Sequence, residues 1–354
     1  MTKVFVGMSG GVDSSLTAAL LVEQGYDVTG VYMKNWSQDL PGMRCPWAED
    51  LADAKRVAVQ LGIDLQVYDF EQEYRDKVVQ YMIEEYKQGR TPNPDIMCNQ
   101  EVKFKLFLET ACENGADKIA TGHYARISHN KPLNVYELQK AKDSNKDQTY
   151  FLARINSNAL SKTLFPIGGY TKNKVRDMAK ERGLYTAKKK ESMGICFVGQ
   201  IGIREFLSQY VDTNYGDILD KETKNKVGTH DGAIFYTLGQ RHGLNIGGGL
   251  PYYVVGKDMS QNIVYVSQNI NDENIWRRQI NLENVRWINQ PPNHQQLKNL
   301  QVRIRHRAPL ASCSVAYQQH VLKVDIENAQ RAVAAGQSAV LYSLDTCLGS
   351  GIIM

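Results

Sequence analysis

Two cysteines, an aspartate and a glycine-rich turn carry most of the chemistry that this sequence offers. Cys98 stands in Thr91-Pro-Asn-Pro-Asp-Ile-Met-Cys98-Asn-Gln-Glu-Val-Lys103-Phe104, and Cys196 in Glu191-Ser-Met-Gly-Ile-Cys196-Phe-Val-Gly. The two prolines mark 89–99 as a shaped loop, with a helix beginning near Asn99. A thiol just ahead of a helix has its thiolate favoured by the dipole, and by Lys103 if that side chain folds back. Lys188-Lys189-Lys190, upstream of Cys196, would act on its thiol in the same way. Taken singly, each cysteine reads as a small buried hydrophobe. Asp95, three residues before Cys98, is placed to serve as a general acid or base. The six cysteines at 45, 98, 112, 196, 313 and 347 include no CxxC pair, which argues against a zinc finger or a secreted disulfide framework. Thiolates at 98 and 196 with Asp95 would also suit an iron–sulfur centre, an alternative that the spacing leaves open.

The second centre is Gly7-Met8-Ser9-Gly10-Gly11-Val12-Asp13-Ser14-Ser15, set between an apolar strand at Val4–Met8 and a helical pattern at Ser14–Gln24. Glycines let backbone N–H groups approach phosphate closely, and the helix amino terminus adds a favourable dipole. The loop lacks the lysine of a P-loop. Its bland reading is a tight strand-to-helix turn. Met33 and Gly122-His123 end two further strand patterns, so in an open α/β sheet they fall at the same ligand-binding edge.

These residues need a scaffold. Val28–Met33, Asp64–Phe70 and Lys118–Tyr124 read as strands, with helical patterns at Glu49–Gln60 and Glu71–Lys87 between them. Repeated βα units predict a doubly wound α/β parallel sheet. After about residue 200, short alternating strands take over, predicting a small β-rich middle domain and a carboxy-terminal β-barrel. The expected domains are 1–200, 201–275 and 276–354, since 354 residues exceed one ordinary core. No apolar run reaches the ~20 residues of a membrane span, and the start reads as a strand rather than a signal peptide, so a cytoplasmic protein is expected. A net charge of +4 does not by itself call for nucleic acid. Local clusters do more: Arg303, Arg305 and Arg307 alternate, and in a strand would share one face.

The loop string resembles the SGGxDS signature of N-type ATP pyrophosphatases, which cleave ATP between its α and β phosphates and adenylate a substrate. Across nearly its whole length the sequence resembles the bacterial tRNA-specific 2-thiouridylase family, which thiolates the wobble uridine of tRNAs for Lys, Glu and Gln. The matching strings are GMSGGVDSS (7–15), GRTPNPDIMCNQEVKF (89–104), ATGHYAR (120–126), SNKDQTYFLARI (144–155), AKKKESMGICFVG (187–199), YTLGQRHGLNIGGG (236–249), GQSAVLY (336–342) and CLGSGII (347–353). The resemblance implies an adenine-nucleotide α-hydrolase-like sheet and an ATP site made by Gly7, Met8, Ser9, Gly10, Gly11, Val12, Asp13, Ser14, Met33 and Gly122. Asp13 would help hold Mg2+. It implies Cys98 as nucleophile and Cys196 as persulfide carrier, joined in a disulfide during turnover. Asn93, Pro94 and Asp95 would meet the flipped base. His123, Lys146, Asp147, Gln148, Arg305, His306 and Gln337 would contact tRNA; where His306 stands the family often shows an aromatic residue. A sulfur donor protein, either a cysteine desulfurase or a relay protein, is the further partner implied.

Overall fold

Val4, Phe5 and Val6 are buried without alternation, and such a run can only be an interior strand covered on both faces. Accordingly β1 (Lys3–Gly7) is central, with β2 (Asp27–Lys34) and then β3 (Asp64–Asp69) on one side and β4 (Lys118–Thr121) on the other. The chain next makes a hairpin, β5 (Arg126–Asn130) and β6 (Val135–Gln139), before β7 (Thr163–Leu164) returns beside β4. The order β3-β2-β1-β4-β7 is parallel throughout. It reverses direction between β1 and β4, which sets a crevice at their carboxyl ends. The computed structural model describes residues 1–39, 45–190, 202–247 and 249–354.

Cys98 is not ahead of a helix but inside one. A helical run starts at Pro94, continues as a π-helical stretch over Cys98–Leu106, and ends as α-helix at Glu113. The expectation of a start near Asn99 fails because proline is well suited to the first helical position, where no N–H is needed. Asn93 caps the run, its Oδ1 accepting the Ile96 N–H at 3.2 Å.

The middle sheet comprises β8 (Gly216–Asp220), β9 (Lys226–His230), β10 (Tyr253–Asp258) and β11 (Ile263–Ser267), in the order β10-β11-β8-β9. The last part is a barrel of β12 (Trp276–Trp287), β13 (Leu300–Arg303), β14 (Ala311–Gln318), β15 (Val321–Arg331), β16 (Ser338–Ser343) and β17 (Thr346–Ile353). Pairing of β12 with both β15 and β17 closes it around Leu282, Val302, Leu322 and Leu341. The β5–β6 hairpin, which the sequence reading missed, extends this barrel: Gln139 and Leu138 pair with Thr346 and Cys347. One apolar core runs from Phe5 and Phe107 through Tyr150 to Val340 and Tyr342, so sheet and barrel are packed as one body there. Among the described residues no helix is long and apolar enough to cross a membrane.

Candidate active site

The glycine-rich loop folds on its own hydroxyls. Ser14 Oγ accepts the Ser9 N–H at 3.2 Å and donates to the Gly11 carbonyl at 3.1 Å, and Ser15 Oγ donates to the same carbonyl at 2.8 Å. Gly10 has φ +70°, and a Cβ there would collide with the Asp50 carbonyl oxygen. Gly122 approaches from the end of β4, where a Cβ would lie 2.8 Å from the Ser14 nitrogen. Both glycines therefore let two other segments press against the loop.

A cleft of about 260 Å³ opens at the switch point. Gly7, Met8, Ser9, Asp13 and Ser14 line it together with Met33, Lys103, Gly122, His123 and Gln148. Gly10, Gly11 and Val12 shape the turn behind it; Val12 is buried in the core. Trp36, Cys45 and Trp47 also face the cleft, and nothing in the sequence pattern had singled them out.

Asp13 sits in the first helical turn, and its carboxylate accepts from Lys172 Nζ at 2.8 Å to each oxygen and from the Tyr124 hydroxyl at 2.8 Å. Lys172 escaped the sequence reading, being 159 residues away. A usable signal existed. It is the first residue of the helix Lys172–Glu181, where the dipole disfavours a cation, so a specific anionic partner was called for.

His123 is buried between Phe104 and Phe165, with Nδ1 2.8 Å from the Thr121 hydroxyl. Burial, then the Lys103 charge, hold its pKa well below the ordinary range, so the ring is neutral at pH 7. Cys98 is buried on the helix that carries Lys103. It lies in the second turn, beyond the reach of the dipole effect expected from the sequence. Burial raises the Asp95 carboxyl from its ordinary value, with the Lys103 ammonium partly opposing that shift.

The barrel holds this helix and its entry loop. Gln337 Nε2 donates to the Thr91 carbonyl at 2.7 Å, and the Thr91 N–H donates to the Ala335 carbonyl at 2.8 Å. Arg90 pairs with Glu283 at 2.6 Å. Arg154, buried, donates to Gln100 Oε1 at 2.5 Å and to the carbonyl and side chain of Asn284, both at 3.1 Å. Tyr150, whose hydroxyl donates to the Ser338 carbonyl at 2.8 Å, stands between Asn93 and the His306 ring. His306 also packs on Phe151 with ring centres 4.4 Å apart. Asn93 and His306 thus meet at Tyr150, Gln337 holds the loop just ahead of Pro94, Gln148 lines the cleft, and Lys146 is half-buried.

Two basic clusters behave otherwise than expected. Strand β13 stops at Arg303, and 304–307 turn with Arg307 at φ +63°, so the three arginines do not share a strand face. Arg303 turns inward to the buried Asp147 at 3.2 Å, and only Arg305 and Arg307 are exposed. A buried carboxylate needs such a partner, and Arg303 supplies it. Asp147 also accepts from the Ala141 N–H and the Thr149 hydroxyl. Lys189, expected to serve Cys196, pairs with Asp50 and Asp53 at 2.7 and 2.6 Å. Cys196 itself lies outside the described residues.

A parallel sheet with a glycine-rich loop at its switch point defines the nucleotide-site class of α/β proteins. The family models agree: residues 2–200 match a tRNA methyl transferase HUP domain, 204–268 a tRNA methyl transferase PRC-barrel domain, and 277–353 an aminomethyltransferase β-barrel domain. The chain is 44% identical to the tRNA-specific 2-thiouridylase MnmA of Limosilactobacillus fermentum, over 99% of this chain and 95% of that one. It is 46% identical to the protein of that name from Staphylococcus carnosus, with the same coverage of both chains. For the Halalkalibacterium halodurans protein of that name the identity is 47%, covering 99% and 94%. The chain belongs to the tRNA-specific 2-thiouridylase family.

Proposed function

We propose that this chain is an ATP-dependent tRNA sulfurtransferase of the cytoplasm, which 2-thiolates the wobble uridine of tRNAs for Lys, Glu and Gln. The observation that carries the reading is that one cleft is lined both by the phosphate-type loop and by Lys103, from the helix that bears Asp95 and Cys98. Phosphate chemistry and thiol chemistry are thereby neighbours.

The uridine C2 carbonyl oxygen is a poor leaving group until it is activated. In the proposed first step that oxygen attacks the α-phosphorus of ATP, the bond to the bridging oxygen breaks, and pyrophosphate leaves. The loop N–H groups and the helix amino terminus hold the departing charge. Asp95, its carboxyl raised by burial, is suited to take the ring proton and return it later. A sulfur donor protein, a cysteine desulfurase or a relay, loads Cys196 as a persulfide. The terminal sulfur attacks C2 and AMP departs. Cys98 then attacks the sulfur of Cys196, forming a disulfide and releasing the thiolated base; a dithiol reductant resets the pair. The base must leave its stack to reach the cleft, which a single-stranded anticodon loop makes cheap. Half-buried His306 and Phe151 supply flat surfaces for its neighbours, and neutral His123 lines the cleft that receives it.

Among the described residues, Asp13 and Asp50 are the carboxylates that line the cleft, each beside an ammonium group. That donor set fits Mg2+, which takes one or two carboxylates together with phosphate oxygens. When bound, Mg2+ would neutralise charge on the leaving pyrophosphate. Residues 1–200 form the adenylating unit in this reading, with 201–275 and 276–354 holding the tRNA.

The test uses unmodified tRNA, ATP and a persulfide source. The wild-type protein should release pyrophosphate only when tRNA is present, and one turnover without reductant should yield a Cys98–Cys196 disulfide by peptide mapping. Full multiple-turnover thiolation by Cys98→Ala without reductant would overturn the two-cysteine scheme.

A further inference from the structure

A cleft that receives a nucleotide should carry positive charge. Among the described residues lining this one, Lys103 is the one lysine or arginine. His123, in the same lining, is kept neutral by burial. Lys172 stands behind the wall and spends its charge on Asp13. The lysine that lines the cleft is therefore half-buried Lys103, carried by the Cys98 helix.

Its position depends on an unusual helix. Between Cys98 and Leu106 the hydrogen bonds skip five residues, and the Phe107 N–H accordingly reaches the Val102 carbonyl. In an α-helix residues five apart are rotated by about 140°. In a π-helix, at about 4.4 residues per turn, the same pair is separated by roughly 50°. The wide register thus brings Lys103 round to the face that carries Cys98. Lys103 lines the cleft together with His123 at the end of β4, and its charge is felt by both His123 and Asp95.

We infer that Lys103 is a further catalytic residue, the one that contacts the α-phosphoryl group during transfer to the uridine and then holds AMP as it leaves. The loop amides face the departing pyrophosphate; the α-phosphorus must lie between them and the base. That is where a cation from the Cys98 helix arrives. No redox change is involved. The bond from the α-phosphorus to the bridging oxygen breaks, the bond to the uridine oxygen forms, and Lys103 stays protonated throughout.

This inference rests on the proposed adenylation. The wild-type protein, Lys103→Gln and Lys103→Arg are compared for tRNA-dependent pyrophosphate release, using ATP and the two diastereomers of α-thio-ATP. Lys103→Gln should lose on the order of 10²-fold in the rate with ATP, the usual cost of one transition-state donor. Nucleotide and tRNA binding should change far less, and Lys103→Arg should recover part of the loss. The wild-type preference between the diastereomers should shrink in Lys103→Gln, a readout that a merely structural lysine would not move. A Lys103→Gln protein within threefold of wild type, or one keeping the full diastereomer preference, would overturn the assignment. Absence of tRNA-dependent pyrophosphate release from the wild type would instead sink the adenylation reading itself.

Discussion

The glycine-rich loop and the Cys98 helix meet at one cleft, yet they are held in opposite ways. The loop is fastened by bonds spanning three to five residues, from Ser9, Ser14 and Ser15 to its own backbone. The helix and its entry loop are fastened from far away, by Gln337 across 246 residues and by Arg90 and Arg154 reaching Glu283 and Asn284. Even the remote partners of the loop, Tyr124 and Lys172 on Asp13, lie ahead of the barrel in the chain. The helix on the thiol side depends for its contacts on the barrel, through Gln337, Glu283 and Asn284. In the proposed scheme the loop serves adenylation alone, whereas the helix serves both stages, through Lys103 in the first and Cys98 in the second.

The largest expected effect tests the independence of the loop. Asp13→Ala should reduce tRNA-dependent pyrophosphate release by 10²-fold or more, on the order of one lost transition-state contact, while tRNA affinity stays near wild type in a filter-binding assay. An equal loss of tRNA affinity would erase the distinction between the regions.

Arg154→Ala attacks the other side. It removes a buried guanidinium that burial lowers to about 10 and that bridges Gln100 to Asn284. Breaking such a buried network costs roughly 3 kcal/mol, which urea unfolding can measure. Thiolation should fall further than ATP binding. If ATP binding fell in step, the helix would not be the part being positioned.

A smaller effect concerns pH at the barrel junction. Burial, with Arg307 and Arg303, pushes His306 down to about 4 from 6.5. The unfolded chain takes up the proton first, so this site leaves stability intact above pH 6.5 and erodes it as pH falls from there towards about 4. His306→Phe should therefore flatten the decline in urea midpoint between pH 7 and pH 5, with thiolation at pH 7 kept if the ring acts by stacking. An unchanged decline would mean that His306 titrates normally.

The smallest effect separates the three arginines. Neutralising Arg305 or Arg307 should weaken binding to all tRNAs alike and flatten the salt slope by roughly one unit or less for each. Arg303→Gln should instead cost stability, since it strips the buried Asp147 of its partner. A salt slope that responded to Arg303 and not to Arg305 would reverse this assignment.

The same contrast explains what the sequence revealed. The parallel sheet, the loop at its switch point and the β-rich second half were legible, because each follows from short-range periodicity and glycine placement. Met33 and Gly122 fell on the cleft for that reason. Lys172 and Arg154 were not legible: their partners are remote in the chain, and only their types hinted at buried anions or carbonyls. The start of the Cys98 helix was misjudged because proline was read as a breaker, although at the first helical position it is a good beginning. The alternation of Arg303, Arg305 and Arg307 misled because the strand ends at the first of them.

Strand β17 has three neighbours among the strands already described: β16, β12 and β6. On the ribosome, residues 346–353 emerge after every other strand named here. Until they do, the β5–β6 hairpin, made some two hundred residues earlier, has no sheet to join, and two barrel strands wait with open edges. A chain interrupted before this point would display those edges as templates for pairing with other chains. Among the strands described, β17 is thus the piece that joins the hairpin to the barrel and closes the barrel itself.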